Sequence, residues 1–296
     1  MKGMREIRNR IKAIKSTGQI THAMELVAAS KMKKAQRNAE SGRAYAALLA
    51  DITDIVSDET GLSFNKAMFS NPNCPARLVI VFSTDKGLCG ALNTNLFKKL
   101  TSIEGDVKFI TVGNKALRFL ARTGRETLAG FRLGDNPTFS ETRKIADYAL
   151  KAAADGKVGS IEVLYSLYIN TLKQEPTLVK LAPMDNLDWY IDRLKNVYKL
   201  NKSPNPKDNR KFSFEPSAKA IMDELPKYFL RQTLHHIALD AKASEQSARM
   251  VAMKGASDNA DSLVDALSLE YNKARQSAIT TEIQELAAAS AQETDD

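Results

Sequence analysis

The C-terminal segment of the chain, from about Pro216 to Ala291, repeats apolar and small residues at a spacing near three and a half. This spacing predicts one continuous helix with a coiled-coil seam. At about 1.5 Å per residue, some 75 residues of helix would be roughly 110 Å long. No compact domain can bury such a rod, so it must project, supported by another helix of the chain, by other subunits, or by both. Pro226 should kink or restart it at a cost of about 3 kcal/mol, and Gly255 costs about 1 kcal/mol relative to alanine.

A second long helix is predicted near the other end of the chain, over residues 4–57. This segment contains glycine only at Gly18 and Gly42, has no proline, and is dominated by good helix formers. Two long helices that meet after a long excursion of the chain make an antiparallel pair, so we predict an antiparallel coiled coil. The first predicted seam is formed by Ile7, Ile11, Ile14, Met24, Ala28, Met32, Ala35, Ala39, Ala46, Leu49, Ile52 and Val56.

Strand and helix patterns alternate between the two long helices. This alternation predicts a doubly wound α/β domain inserted into the coiled coil, so the fold class is α/β plus long α. Thr138-Phe-Ser-Glu141 has the form of a capping box at the start of a helix. The predicted strands are Leu78–Phe82, Val107–Val112, Ile161–Tyr168 and Thr177–Ala182, the last two joined by a turn at 173–176, and the predicted helices are 91–100, 115–122 and one from 138 to about 156.

These elements divide the chain into four predicted segments. The N-terminal helix occupies residues 1–60 and the Rossmann-like α/β domain occupies 75–185. A linker follows over residues 186–215, where the stretch PNPKDN is typical of irregular structure. The C-terminal helix occupies residues 216–296.

The stretch STDKGLCGALN, residues 83–93, follows a buried-looking strand and carries two glycines. Nucleotide-binding loops in this position need G-x-x-x-x-G-K-[ST] or G-x-G-x-x-G. Here Lys86 precedes the second glycine, Gly90, and the end of the second strand reads Val112-Gly-Asn, with no acidic residue. The sequence therefore favours a tight turn between a strand and a helix over a phosphate site.

No catalytic or metal-binding constellation stands out in the sequence. His235 and His236 are adjacent, which on a helix places them about 100° apart, whereas helical metal pairs prefer i, i+4. Cys74 and Cys89 have neither disulfide-framework nor metal-site spacing and favour a reducing compartment. We therefore expect no catalytic residue, no cofactor and no metal.

The whole net charge of +8 is carried by residues 1–37, which hold ten basic and two acidic side chains. Such a segment predicts an anionic partner. A helical protein partner is favoured, while nucleic acid and an exposed face without a partner stay open. The first aromatic residue is Tyr45, which leaves this face no stacking platform for bases. We expect neither a signal peptide nor a membrane span, because no apolar run has the required length.

Several long motifs point to one family. The segment MKGMREIRNRIKAIKSTGQITHAMELVAASKMKKAQ resembles the N-terminal signature of the gamma subunit of F-type ATP synthases. STDKGLCGALN, INTLKQEPTLVKLAP and FEPSAKAIMDEL are similar to segments of its middle region. RMVAMKGASDNADSLVDALSLEYNKARQSAITTEIQEL resembles its C-terminal signature.

This resemblance implies a central rotor shaft that couples ion-driven rotation of the membrane c ring to sequential conformational changes of the catalytic beta subunits, for ATP synthesis or hydrolysis. It implies a non-catalytic subunit without a cofactor. The implied partners are the ring of three alpha and three beta subunits, the epsilon subunit and the c-subunit ring, with no nucleic acid. The implied location is the cytoplasmic face of the bacterial plasma (inner) membrane, with peripheral attachment through the c ring.

The resemblance also assigns contact residues by position. Met24 matches a segment that faces the beta-subunit lever loops. Arg275, Gln276 and Thr280 match the polar cluster that contacts a beta catch loop. Phe214 and Glu215 match the foot region near the c ring.

Overall fold

The computed structural model describes residues 2–41, 52, 73–183 and 213–293. Its elements lie in the order α1 (Lys2–Ser41), β1 (Arg77–Phe82), α2 (Leu92–Thr101), β2 (Val107–Val112), α3 (Asn114–Thr123), β3 (Thr127–Phe131), α4 (Phe139–Ala154), β4 (Ser160–Tyr168), β5 (Gln174–Ala182) and α5 (Ala218–Glu293).

The chain divides into two compact units. The paired-helix unit consists of Met1–Val27 together with Met250–Asp296, and the sheet unit consists of Ala28–Arg249. The predicted fold class, two long terminal helices with an inserted α/β domain, is confirmed. The predicted segment boundaries stay a prediction.

The long C-terminal helix is confirmed, since α5 runs for 76 residues. Of the predicted kink or restart at Pro226, the kink stays a prediction and the restart is wrong, because the helix continues through that residue. Leu230 and Leu234 follow it by one and two turns and are fully buried in the core of the sheet unit. Their burial, worth about 1.5–3 kcal/mol for each side chain, offsets the roughly 3 kcal/mol cost of an interior proline. Near the other end of the chain, α1 is described over Lys2–Ser41, and the remainder of the predicted 4–57 helix lies outside the described residues except for Ile52.

In the paired-helix unit, buried and half-buried side chains recur with a heptad spacing on both helices. On α1 the predicted seam residues Ile7, Ile11 and Ile14 are half-buried, and the basic side chains between them are exposed. A Cβ built on Gly18 would lie 3.2 Å from the Cβ of Ala260, so the two helices are close at this point. The corresponding row on α5 is Met253, Ser257, Ala260, Val264, Leu267, Tyr271, Ala274 and Ala278.

The sheet unit contains a five-stranded sheet in the order β3-β2-β1-β4-β5. All neighbouring strands are parallel except β4 and β5, which are antiparallel. One face packs on α4 and on the sheet-unit part of α5, and the other face packs on α2 and α3. Helices on both faces of a mostly parallel sheet confirm the doubly wound architecture. Among the described residues, no helix combines the length and the apolar character needed to cross a bilayer.

The sequence missed one strand and misplaced one turn. Strand β3 is a half-buried edge strand with Gly130 in it, so it lacks the apolar run that marks its neighbour β2. The predicted turn at 173–176 is wrong: Asn170 accepts hydrogen bonds from the amides of Leu172 and Lys173, and β5 already begins at Gln174. Pro176 is tolerated inside β5 because β5 is also an edge strand.

The predicted capping box is confirmed at the N-terminus of α4. Thr138 Oγ1 accepts a hydrogen bond from the Glu141 amide at 3.4 Å, and Glu141 Oε2 accepts one from the Thr138 amide at 2.7 Å. We expect Thr138→Ala to lower the free energy of unfolding by about 1 kcal/mol. Urea titration checks this, with Ser140→Ala, an exposed position in the same turn, as the matched control. An equal loss in the control would contradict a capping role.

The same cap predicts a pH dependence. The backbone hydrogen bond from Thr138, followed by its hydroxyl, lowers the pKa of Glu141 in the folded chain. The stabilisation is therefore present above the ordinary pKa of glutamate and is lost as the pH falls through the lowered folded-state pKa. The destabilisation that Glu141→Gln causes at pH 7 should shrink under acid conditions.

Candidate functional site

The loop after β1 has the position of a nucleotide-binding loop, but its polar groups form hydrogen bonds with other parts of this chain. The first three amides of α3 each have a partner in it: Asn114 donates to Asp85 Oδ1 at 3.0 Å, Lys115 to the Thr84 carbonyl at 3.1 Å, and Ala116 to Ser83 Oγ at 2.9 Å. Free amides at a helix N-terminus are what binds a phosphate. In this chain the amides at the N-terminus of α3 are occupied by the loop itself.

The loop is also fastened to α2. The side chain of Asn93 accepts a hydrogen bond from the Thr84 amide at 3.3 Å and donates to Thr84 Oγ1 at 2.7 Å and to Cys89 Sγ at 3.2 Å. Burial raises the pKa of the Cys89 thiol. Loop 83–93 is thus a brace that joins β1 to α2 and α3.

The carboxyl ends of β1 and β4 form the switch point of the sheet, where the connections diverge and α/β proteins generally bind their ligands. Here α5 occupies the crevice. The space left over is a cavity of about 20 Å³, lined by residues including Phe82, Ser166, Lys242 and Glu245. That volume suits a single water molecule, whereas small-molecule sites have volumes of about 300–1,000 Å³.

Lys242, Glu245 and Arg249 form a nearly buried charge cluster on α5. Lys242 Nζ lies 3.1 Å from Glu245 Oε2, and Arg249 Nη2 lies 3.0 Å from Glu245 Oε1. The three side chains are 11%, 8% and 12% exposed. Because buried charges need partners, these three residues hold one another in fixed positions.

Asp135, in the loop after β3, contacts both long helices. Its Oδ2 accepts a hydrogen bond from Lys31 Nζ of α1 at 2.7 Å, and its Oδ1 accepts one from Gln246 Nε2 of α5 at 3.2 Å. The hydrogen bond from Lys31 lowers the pKa of this carboxyl. Sequence reasoning did not find Asp135. It also passed over the charge cluster, although the i, i+3 and i+4 spacing of Lys242, Glu245 and Arg249 was a usable signal.

His235 serves packing. His235 Nδ1 lies 3.1 Å from Thr142 Oγ1, and its ring meets Phe139 edge-on, so the residue joins α5 to α4. Burial lowers the pKa of His235. Within the described residues, His, Cys, Asp and Glu side chains form no group able to hold a metal.

The residues predicted to contact the beta subunits lie in the paired-helix unit. Met24 is half-buried on α1, and Arg275, Gln276 and Thr280 are exposed on α5. Gln276 and Thr280 are one turn apart, and Thr280 Oγ1 donates to the Gln276 carbonyl at 2.9 Å. The three α5 residues therefore lie within two turns of one helix. Their contact with a partner stays a prediction.

The residues predicted to contact the c ring lie in the sheet unit, directly before α5. Phe214 is half-buried and Glu215 is exposed. Their contact with a ring also stays a prediction.

Comparison with known sequences identifies the family. A family model described as "ATP synthase" matches residues 3–291. The chain is 43% identical over 289 residues to the ATP synthase gamma chain of Opitutus terrae, with 98% of each chain covered. It is 38% identical over 293 residues to the gamma chain of Methylacidiphilum infernorum, with 96% of this chain and 97% of the other covered.

Comparison with solved structures supports the fold. A chain of the Euglena gracilis mitochondrial ATP synthase, in a structure of the OSCP, F1 and c-ring parts, aligns with a TM-score of 0.66 at 19% identity, covering 97% of this chain and 93% of that one. A chain of the Tetrahymena thermophila mitochondrial ATP synthase central stalk and c ring aligns with a TM-score of 0.59 at 22% identity, covering 80% and 99%.

Proposed function

The chain belongs to the ATP synthase gamma chain family, and from that premise we propose that it is the central rotor shaft of an F-type ATP synthase. Ion-driven rotation of a membrane c ring turns it inside a ring of three alpha and three beta subunits. The observation that carries this proposal is α5, a 76-residue helix that runs through both units, in a chain 43% identical to a gamma chain over 98% of both lengths.

The mechanism follows from asymmetry. One helix pair cannot present the same face to three equivalent neighbours at once, so each beta subunit meets a different surface of the shaft. Differential contact biases each beta subunit towards a different conformation and hence a different nucleotide affinity. Turning the shaft permutes the three states, and ATP synthesis or hydrolysis follows the direction of turning.

We propose that this chain contributes no chemistry of its own. The crevice filled by α5 supports this, because the cavity that remains there, about 20 Å³, is far smaller than a small-molecule site. The reaction then belongs to the beta subunits, and the chain supplies position and torque.

We further propose that Met24, Arg275, Gln276 and Thr280 contact the beta subunits and that the region of Phe214 and Glu215 meets the c ring, with the epsilon subunit beside it. The chain would then be attached peripherally, through the c ring, to the cytoplasmic face of a bacterial plasma membrane. Its similarity to gamma chains of bacterial strains supports this location. Loss of c-ring binding on Phe214→Ala is the result that would support the foot contact.

The test is reconstitution of ATP hydrolysis from purified alpha and beta subunits with this chain. The wild type should restore hydrolysis, and the double variant Arg275→Ala, Gln276→Ala should lower it roughly fivefold to thirtyfold, the effect of losing about 1–2 kcal/mol of contact energy. Both side chains are exposed, so the helix itself should remain intact. Lys254→Ala, exposed on the same helix, is the matched control and should hydrolyse ATP like the wild type.

The outcomes separate the shaft from the contact site. Hydrolysis that needs the chain but ignores the double substitution would keep the shaft and remove Arg275 and Gln276 from the contact. A chain that does not assemble with alpha and beta subunits would overturn the rotor proposal.

A further inference from the structure

Three loops leave the carboxyl edge of the sheet, and all three contact the long helices. We call them the collar: residues 83–91 after β1, 132–138 after β3, and 169–173 between β4 and β5. In the first loop, the Gly87 carbonyl accepts a hydrogen bond from Arg249 Nη2 of α5 at 3.4 Å. In the second, Asp135 holds Lys31 and Gln246.

The third loop contacts α5, and the strand residue directly before it contacts α1. The Thr171 carbonyl accepts a hydrogen bond from Ser247 Oγ of α5 at 2.8 Å. Tyr168, at the end of β4, accepts one at its hydroxyl from Gln36 Nε2 of α1 at 2.6 Å. The collar contacts on α5 come from Gln246, Ser247 and Arg249, which together occupy a single turn.

Glu245 lies directly before this turn and holds its arginine in place. It is the shared partner of Lys242 and Arg249, and Arg249 also donates to Gln246 Oε1 at 3.1 Å. Glu245 thereby fixes the arginine that reaches Gly87 and, through that arginine, the glutamine that reaches Asp135.

We propose that the collar sets the torsional stiffness between the sheet and the two helices that it contacts, α1 and α5, so that torque passes between them through these contacts. This inference rests on the proposed rotor function. Apolar packing between α5 and the sheet is non-directional, so it resists separation better than it resists sliding. Hydrogen bonds and ion pairs weaken steeply when their geometry changes, so this set of contacts opposes rotation of the helices against the sheet.

The test measures rotation in single complexes. The complex is assembled from alpha, beta and this chain, the hexamer is fixed to a surface, and a probe is attached to the sheet unit. Its angular variance during catalytic pauses reports the torsional stiffness. In Glu245→Gln the loop contact through Arg249 is weakened; if the three loops contribute independently, the variance should rise by about 1.5-fold. Glu224→Gln removes an exposed carboxylate that pairs with Lys227 elsewhere on α5 and should leave the variance unchanged.

A second variant covers the case in which Glu245→Gln fails to fold. Ser247→Ala removes a single hydroxyl that contacts Thr171, keeps every charge, and should raise the variance in the same way. A variance equal to that of Glu224→Gln in assembled complexes of either variant would overturn the proposal. If complexes containing the wild-type chain do not rotate, the proposed function fails first, and the two failures are thus distinguishable.

Discussion

Gly113→Ala should strongly destabilise the sheet unit. Gly113 lies between β2 and α3 with φ 102° and ψ 147°, a conformation that L side chains rarely adopt. A Cβ there would lie 2.2 Å from the Ser83 carbonyl oxygen. Backbone strain and overpacking each cost about 1–3 kcal/mol, so the unfolding free energy should fall by roughly 2–6 kcal/mol.

The loss is severe because the clash is with backbone that cannot move freely. The Ser83 amide donates to the Val112 carbonyl, and Ser83 Oγ accepts from the Ala116 amide. Urea unfolding of the full chain, followed by circular dichroism, measures the effect. Gly134→Ala is the matched control, because its Cβ would meet nothing within 4 Å, and we expect a change within about 0.5 kcal/mol. Similar values for the two variants would refute the argument from the clash with Ser83.

Gly18→Leu should separate the helices of the paired-helix unit. A Cβ at this position already lies 3.2 Å from the Cβ of Ala260, so three further carbons have no space unless the helices move apart. Overpacking of this kind costs about 1–3 kcal/mol. We expect a lower melting temperature and, since a shaft of altered width no longer fits the hexamer, loss of the hydrolysis that the wild-type chain restores.

The control for Gly18→Leu is a glycine substitution that should raise the stability of the chain. Gly255 lies in the interior of α5, and its Cβ would meet nothing within 4 Å. Gly255→Ala should therefore stabilise the chain by about 0.5–1 kcal/mol through helix propensity. If Gly18→Leu melts and supports hydrolysis like the wild type, the two helices can accommodate a larger side chain between Gly18 and Ala260, and the prediction is wrong.

Patterns with a local cause could be predicted well. The heptad spacing of α5 and the reciprocal hydrogen bonds between Thr138 and Glu141 depend on neighbours a few residues away, so the sequence carries them directly. Strand β3 was missed because an edge strand with Gly130 needs no continuous apolar run. The helix does not restart at Pro226, because the burial of Leu230 and Leu234 offsets the local cost of the proline ring.

The candidate site divides in the same way. Arg275, Gln276 and Thr280 were identified by resemblance and lie exposed on one helix, as expected of residues that contact another chain. Asp135 and Gly87 were not identified, because each acts through partners more than a hundred residues away in sequence. No local pattern records such a pairing.

By itself, the sequence determined that this chain has two long helices around an α/β domain, because helical periodicity and strand propensity are properties of short windows. Only the tertiary structure decided what occupies the carboxyl edge of the sheet. A loop with the position of a phosphate-binding loop is a brace, because Ser83 and Asp85 accept hydrogen bonds from the amides of α3. The crevice at the switch point is occupied by α5, because the fold brings Glu245 and Arg249 next to the loop after β1, from which they are far apart in sequence.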